Sequence, residues 1–293
     1  GLVKKLEDPK WRPDYGSTKF NSASGATIIG ARDFLIAYNI NLNTRDHRLA
    51  TDIAFELRES GRSKRIPNPD SLNLLDGEIV RNSDGSPIKI KGLFKEVKAV
   101  GWYVDLYKRA QISINFNNYK FSSIHDVFDA ACKLAEERGV RVTGSELVGL
   151  VPKDALLMAG NHYLKKQSRS LGIPKEDIIE IAIQSLGLND VVCFKPEDKI
   201  IENAISKTNN ELSSLTIRKF VNELSRNSVA PGGGSVSALV GSLGASLSSM
   251  VASLTHEKKD FNKLKNEMDK IGLKSQSLKD RLTFLIDEDT DAF

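Results

Sequence analysis

Phe34-Leu35-Ile36-Ala37-Tyr38-Asn39-Ile40-Asn41-Leu42 alternates along its whole length. Phe34, Ile36, Tyr38, Ile40 and Leu42 fall on one face and Leu35, Ala37, Asn39 and Asn41 on the other, which predicts a half-buried strand. Downstream, Asn43-Thr44 opens a helical pattern with Leu49, Ile53, Ala54 and Leu57 on one side, stopped near Gly61. The polar stretch from Arg62 to Lys91 contains Pro67-Asn68-Pro69-Asp70 and Ser83-Asp84-Gly85-Ser86-Pro87, so it reads as a long excursion with hairpin chemistry. Two strands follow, near Lys95 to Asp105 and Ala110 to Phe116. Ser123 to Arg138 is an amphipathic helix with Ile124, Val127, Phe128, Ala131 and Leu134 inward, and Val140-Arg141-Val142 starts another strand. Strand–helix–strand–strand–helix–strand is the split βαβ, ferredoxin-like pattern of an α+β domain. Two more helices are predicted over Pro152 to Gln167 and Pro174 to Leu186, each opening on a proline that has no N–H to lose in the first turn.

The character changes after the polar run 206–214, read as a linker. From Leu215 onward every segment is helical in pattern, so a second, all-α helical-bundle domain begins there. Its most distinctive stretch is Ala230-Pro231-Gly232-Gly233-Gly234-Ser235-Val236-Ser237-Ala238-Leu239. Successive glycines permit concave backbone conformations that a Cβ forbids. Their N–H groups, with those of the first helical turn, can converge on an anion, which makes Gly232, Gly233, Gly234 and Ser235 a candidate anion nest. A flexible linker has the same composition. The helix that follows, roughly Ser235 to Leu254, carries a small-residue stripe at Ser237, Gly241, Ala245 and Ser249. A second face is apolar: Val236, Val240, Leu243, Leu247, Met250 and Leu254. The run lacks charge, but its seven serines and two glycines make it too polar for lipid. A buried helix of a soluble bundle is the expectation.

Composition narrows the function classes. The chain has 293 residues, enough for two domains, and a net charge of only +4 spread along its length, which argues against nucleic-acid binding. Short basic clusters such as Arg62-Ser63-Lys64-Arg65 fit a solvated face or a contact to a polyanionic substrate tail. Cys132 and Cys193 lack metal-ligand spacing, no signal-peptide pattern is present, and the expectation is a reduced, cytoplasmic protein without a metal site. The start at Gly1 and the stop at Phe293, within a helical pattern, read as a piece of something longer.

Several motifs stand in a recognisable order. Trp11-Arg12-Pro13-Asp14-Tyr15-Gly16 is followed by Gly25-Ala26-Thr27-Ile28-Ile29-Gly30-Ala31-Arg32-Asp33, Gly101-Trp102-Tyr103, Ala110-Gln111-Ile112-Ser113 and Gly144-Ser145-Glu146-Leu147-Val148-Gly149-Leu150-Val151-Pro152. With Ala230 to Ser235 they resemble the formimidoyltransferase-cyclodeaminase family, from Trp11 to the end of the chain. The resemblance implies a bifunctional folate enzyme of histidine degradation. One activity transfers the formimino group from N-formimino-L-glutamate to tetrahydrofolate. The other cyclises 5-formiminotetrahydrofolate to 5,10-methenyltetrahydrofolate with release of ammonia. It further implies a polyglutamylated folate co-substrate and a homo-oligomer built from dimers; charge and composition point to no membrane or nucleic-acid partner. The implied parts are residues 1–33, the end of the N-terminal transferase subdomain with its folate loop; 34–205, the C-terminal transferase subdomain; the linker; and 215–293, the opening of the cyclodeaminase.

Residue by residue, the family's folate loop matches Gly16, Ser17, Thr18, Lys19, Phe20, Asn21, Ser22, Ala23, Ser24 and Gly25. The stretch is hydroxyl-rich, with one aromatic for a flat ring and Lys19 for a carboxylate; an ordinary loop before an edge strand is the bland reading. Ser22 and Ser24 stand where animal members have proline and an aromatic. The cyclodeaminase aspartate matches Asp289 in Asp287-Glu288-Asp289-Thr290-Asp291. A positioned carboxyl group can deliver or remove the protons that ring closure requires. Buried together, these acids would raise one another's pKa; a solvated acidic helix end is the alternative. Spacing alone does not separate Asp287, Asp289 and Asp291. The transferase's histidine would lie before Gly1, so His47, His125, His162 and His256 take no catalytic role. A non-catalytic folate-binding or oligomerisation module is the competing reading.

Overall fold

The computed structural model describes residues 1–205 and 212–292. It divides into two units, Gly1–Asp33 and Phe34–Phe293. The first has little regular structure. A helix over Leu2–Glu7 is followed by a 3-10 turn at Pro9–Trp11, whose start is capped by Asp8 accepting the Lys10 N–H at 2.9 Å.

The second unit opens on β1 (Ile36–Leu42) and α1 (His47–Leu57), which Asp46 caps. Then come β2 (Val97–Val104), β3 (Arg109–Phe116), α2 (Ile124–Glu136) and β4 (Val142–Val148). The strands form one antiparallel sheet in the order β2-β3-β1-β4. Tyr38 of β1 stands opposite Ile114 of β3 and Leu147 of β4. Ile36, Tyr38, Ile40 and Leu42 join Ile112, Ile114, Phe116, Ile53, Leu57, Val127 and Ala131 in the main core.

The expected half-buried strand is corrected here. Asn39 and Asn41, assigned to an open face, are buried as well. Burial of such amides requires partners, and the sheet supplies them: Asn41 donates to Asp190 Oδ2 at 3.0 Å and accepts from Gln111 at 2.6 Å, and Asn39 donates to Glu146 Oε1 at 3.1 Å. Asp190 comes from the loop after a later helix, a contact no local pattern announces.

The excursion 62–91 is built of two small antiparallel ribbons, Arg62–Ser63 with Lys89–Ile90 and Arg65–Ile66 with Glu78–Ile79. Arg62 belongs to neither reading offered for its cluster. It is buried and lies 2.7 Å from Asp52 of α1, itself fully buried; Arg138, just past α2, also bonds Asp52 at 2.7 Å. Glu56 completes this charge cluster, receiving both guanidinium groups. α3 (Lys153–Lys166) and α4 (Lys175–Leu186) pack together beyond the sheet. Pro152 and Pro174 sit at their N-caps, one position earlier than the first turn.

The linker expected over 206–214 falls, for 206–211, outside the described residues. Its end is not a free strand: Leu212–Ser214 forms a 3-10 turn, and the Ser213 N–H donates to Asp287 Oδ1 at 3.2 Å. α5 (Ile217–Leu224) leads to two long helices, α6 (Gly233–Glu257) and α7 (Lys265–Asp291), which lie along each other. Between them the contact runs through Ser235, Ala238, Ser242, Ser249, Ala252 and His256, the buried positions of α6. Of the predicted stripe at Ser237, Gly241, Ala245 and Ser249, Ser249 lies on this line and Gly241 faces Leu282 of α7, where a Cβ would stand 3.1 Å from its Cδ1, while Ser237 is exposed. Ser242 Oγ meets Thr283 Oγ1 at 2.8 Å, and Gln276 donates to Ser249 Oγ at 2.9 Å.

The expectation of a buried helix is also corrected. With α7 on one side only, Val240, Leu243, Leu247, Met250 and Leu254 remain exposed. By length and composition alone α6 is apolar enough to cross a membrane, at a mean hydropathy of 1.4, a test that a packed helix of a soluble protein passes equally. The serines of α6 are spent on α7, on the carbonyls of α6 itself and on the carbonyl of Gly172. The helical core is small: Phe220, Ala238 and Ile286, with Leu212, Leu215, Leu224, Leu239 and Leu285 around them.

The helical pair meets the turn between α3 and α4 backbone to backbone. A Cβ on Gly172 would stand 2.6 Å from Gly272 Cα, so neither glycine tolerates a side chain. Ser249 and Ser253 both donate to Gly172 O, at 2.8 and 3.0 Å. Lys175 reaches Asp280 at 2.6 Å on the rim of this contact.

Candidate functional site

The glycine triplet does not form a left-handed nest. Gly232 caps α6 in an extended conformation (φ −125°), and Gly233 and Gly234 are already helical. The reason for glycine lies across the helix pair: a Cβ on Gly234 would stand 2.0 Å from Asp289 Oδ1. Asp289 Oδ2 accepts the Ser235 N–H at 2.8 Å and the Ser235 hydroxyl at 3.2 Å. That hydroxyl also donates to Ile286 O at 2.8 Å and meets Thr290 Oγ1 at 3.2 Å. The N-terminus of α6, where the helix dipole favours negative charge, is therefore matched to a carboxylate of the chain itself. Within the expected anion nest at Gly232 to Ser235, the Ser235 N–H is engaged by Asp289.

The neighbouring acids are separated by the same geometry. Asp287 accepts the Ser213 N–H, and Glu288 pairs with Arg281 at 3.2 Å. Spread around α7, they are not buried together. Asp289 lines a cavity of about 410 Å³ with Gly234, Ser237, Ala238, Leu282, Leu285 and Glu288. One wall is apolar, one carries two carboxylates, and the cavity sits where α6 begins and α7 ends. An acid anchored by two hydrogen bonds beside a half-apolar hollow has the geometry for proton transfer to a bound nitrogen.

Within Gly1–Asp33, the loop residues surround a second cavity of about 730 Å³. Gly16 and Gly25 turn the chain at its two ends with φ of +88° and +66°. Asn21 organises the middle, its side chain accepting the Ala23 and Ser24 N–H groups and its carbonyl the Gly25 N–H. Ser17 accepts the Lys19 N–H at 3.0 Å. Gly16, Ser17, Lys19, Phe20, Asn21, Ser22, Ser24 and Gly25 line the cavity, whereas Thr18 and Ala23 do not. Tyr15 lines it too, a second aromatic that the matched loop, starting at Gly16, leaves out.

Two of the histidines face each other inside the sheet domain. His125 and His162 stack with ring centroids 4.4 Å apart, and His162 Nε2 lies 3.1 Å from Asp129 Oδ2. His125, Asp126 and His162 are the one group of metal-like composition among the described residues, with ligand atoms within 4.8 Å of one another. Asp126 already accepts the Ser123 hydroxyl at 2.5 Å. Burial holds the His125 pKa below its ordinary value, against the opposing charge of Asp126. Burial pushes Asp129 upward, but hydrogen bonds from Lys166 and His162 outweigh it and hold the carboxyl low.

With this geometry in place, the likeness to known proteins is specific. A family profile described as "Formiminotransferase domain" matches residues 37–206, and one described as "Formiminotransferase-cyclodeaminase" matches residues 216–293. A formimidoyltransferase-cyclodeaminase of Dictyostelium discoideum is 38% identical over 272 residues, 92% of this chain and 46% of that protein. One of Sus scrofa is 37% identical over 295 residues, 100% of this chain and 50% of that protein. A glutamate formimidoyltransferase of Streptococcus pyogenes serotype M1 is 32% identical over 165 residues, 56% of this chain and 45% of that protein. The chain thus spans about half the length of the longer relatives.

Proposed function

Because the chain belongs to the formiminotransferase family, we propose that it serves a bifunctional folate enzyme of histidine degradation. One activity moves the formimino group of N-formimino-L-glutamate to tetrahydrofolate; the other closes the product to 5,10-methenyltetrahydrofolate and releases ammonia. The parts are residues 1–33 with the folate loop, a transferase subdomain over 34–205, a linker over 206–214 and a cyclodeaminase segment over 215–293. The profile matches, which divide near the same place, support this partition. The sheet order β2-β3-β1-β4 with its two crossing helices supports a ferredoxin-like subdomain.

The observation that carries the cyclodeaminase reading is Asp289, held by Ser235 at the mouth of its cavity. In ring closure N10 of the folate attacks the formimino carbon and loses a proton. The amino group that departs as ammonia gains one. Asp289 as carboxylate accepts the first proton and as carboxylic acid returns it to the leaving nitrogen, so one group serves both steps. Ser235 keeps the carboxylate oriented through Oδ2. Gly16 to Gly25 is the folate contact of the transferase, with Phe20 and Tyr15 for the flat rings and Lys19 for a tail carboxylate. Polyglutamylated tetrahydrofolate is the co-substrate.

The remaining reading is of a cytoplasmic homo-oligomer built from dimers, without nucleic-acid or membrane partners. It draws on the small net charge and on the one-sided exposure of α6. The test uses a protein built out to the length of the relatives. Asp289→Asn should lower ring closure by about 10²–10⁴-fold, the usual contribution of general acid–base catalysis, and leave formimino transfer unchanged. Equal loss of both reactions, or of neither, would refute the assignment.

A further inference from the structure

The loop-covered face of the transferase sheet carries a carboxylate that the reactions above leave unused. Glu146 of β4 accepts the Asn39 amide through Oε1 at 3.1 Å. Its Oε2 is buried and no donor stands in full hydrogen-bond geometry to it, the Tyr107 hydroxyl beside the carboxylate making a looser contact. A buried acceptor without a well-placed donor is unfavourable, the more so when it is charged. Asn39 and Asn41, by comparison, are satisfied.

Glu146 lines a cavity of about 180 Å³, walled by Leu188 and Phe194 and rimmed by Tyr107, Cys193 and Lys199. This volume is below that of a whole-ligand site and suits one flat group. Tyr107 is raised above the usual phenol pKa, by burial first, then by the charge of Glu146 and by a hydrogen bond toward that carboxylate. Its hydroxyl therefore stays protonated beside the carboxylate. The hollow thus offers a carboxylate oxygen, apolar walls and, in Lys199, a cation for a carboxylate of the same ligand.

Resting on the folate-transfer reading, we infer that Glu146 binds a planar N–C–N edge with adjacent N–H donors. Carboxylates pair with such edges in two parallel hydrogen bonds. Two sources share this chemistry: the formamidine group of N-formimino-L-glutamate and the 2-amino-pyrimidinone edge of tetrahydrofolate. Glu146 then acts as a specificity residue for the transfer, and the Gly16 to Gly25 loop does not depend on it.

Cys193 provides the readout, because it is exposed and lines the same cavity. Burial pushes the Cys132 thiol up to about 11, so at about pH 7.5 an alkylating reagent reports on Cys193. The rate of Cys193 alkylation is measured on the full chain with N-formimino-L-glutamate or with tetrahydrofolate, while equilibrium dialysis records total binding. The bound source should slow alkylation about tenfold at about ten times its dissociation constant, and Glu146→Gln should abolish that protection. Protection by one compound alone identifies the source. If Glu146→Gln lacks a cooperative melt, Val192→Trp replaces it, since this exposed side chain fills the cavity from its rim and should also remove protection. Protection that survives these substitutions overturns the inference, as does its absence. Tetrahydrofolate retained on dialysis without protection removes Glu146 and leaves the folate reading standing. Retention of neither compound removes both.

Discussion

At Gly234 the space for one methyl group decides whether Asp289 keeps its place, since a Cβ there would stand 2.0 Å from Oδ1. Gly234→Ala keeps every titratable group and still should lower ring closure at least tenfold, through a displaced carboxylate. Steady-state rates of both half-reactions in the extended enzyme check this, transfer being expected to hold. Asp52 presents the opposite case, a charge fixed by Arg62 and Arg138 in the interior. Asp52→Ala leaves two guanidinium groups with only Glu56 and should cost about 3–5 kcal/mol, read as a lower urea midpoint. Single residues were only partly legible. Acid chemistry near the end of α7 follows from Asp287-Glu288-Asp289, but the choice of Asp289 depends on Ser235, on a different helix. Glu146 lies in a stretch whose pattern gives no sign of a poorly partnered oxygen.

Elements were read best where one face alone is covered. α2 follows its 3.6-residue period, with Ile124, Val127, Phe128, Ala131 and Leu134 inward as expected. β1 failed the same test because a loop bearing Asp190 folds over its second face, turning polar positions into buried ones. α6 failed for a third reason. Its packing line is made of serines and alanines, and the apolar side chains that usually mark a core point away from α7. Leu243, Leu247, Met250 and Leu254, each more than half exposed, form a continuous apolar strip of the kind that marks an interaction surface. Leu247→Glu with Leu254→Glu should weaken self-association at least tenfold, given about 1.5–3 kcal/mol for each buried leucine. Sedimentation velocity over a concentration series measures this, and an unchanged distribution would mean that the strip is not the dimer contact.

Across the whole molecule, the sheet with α1 to α4 has a large continuous core, whereas the helical segment relies on a few side chains around Phe220 and Ile286. The pH response of the fold's stability should follow the buried side of the sheet domain. His125 titrates below 6.5 in the folded state, because burial outweighs Asp126, with His162 adding to the effect and Asp129 opposing it. As pH falls through 6.5 the unfolded chain binds a proton first, so stability present at pH 7 is lost on acidification. The slope for one such group is at most about 1.4 kcal/mol per pH unit. His125→Gln should flatten the fall in urea midpoint between about pH 7 and about pH 5; an unaltered slope would place the effect elsewhere.

The contact of Gly172 with Gly272 has a rotational meaning. Gly272 and Asp289 belong to one continuous helix, and a helix advances by about 100° per residue. The glycine pair admits no side chain and so fixes the phase of α7 against the transferase part. The same phase aims Asp289 at Ser235. One residue inserted between them would leave Gly272 seated and swing the carboxylate a quarter-turn or more from its partner. The length of α7 between glycine and acid is therefore as strictly specified as the acid itself.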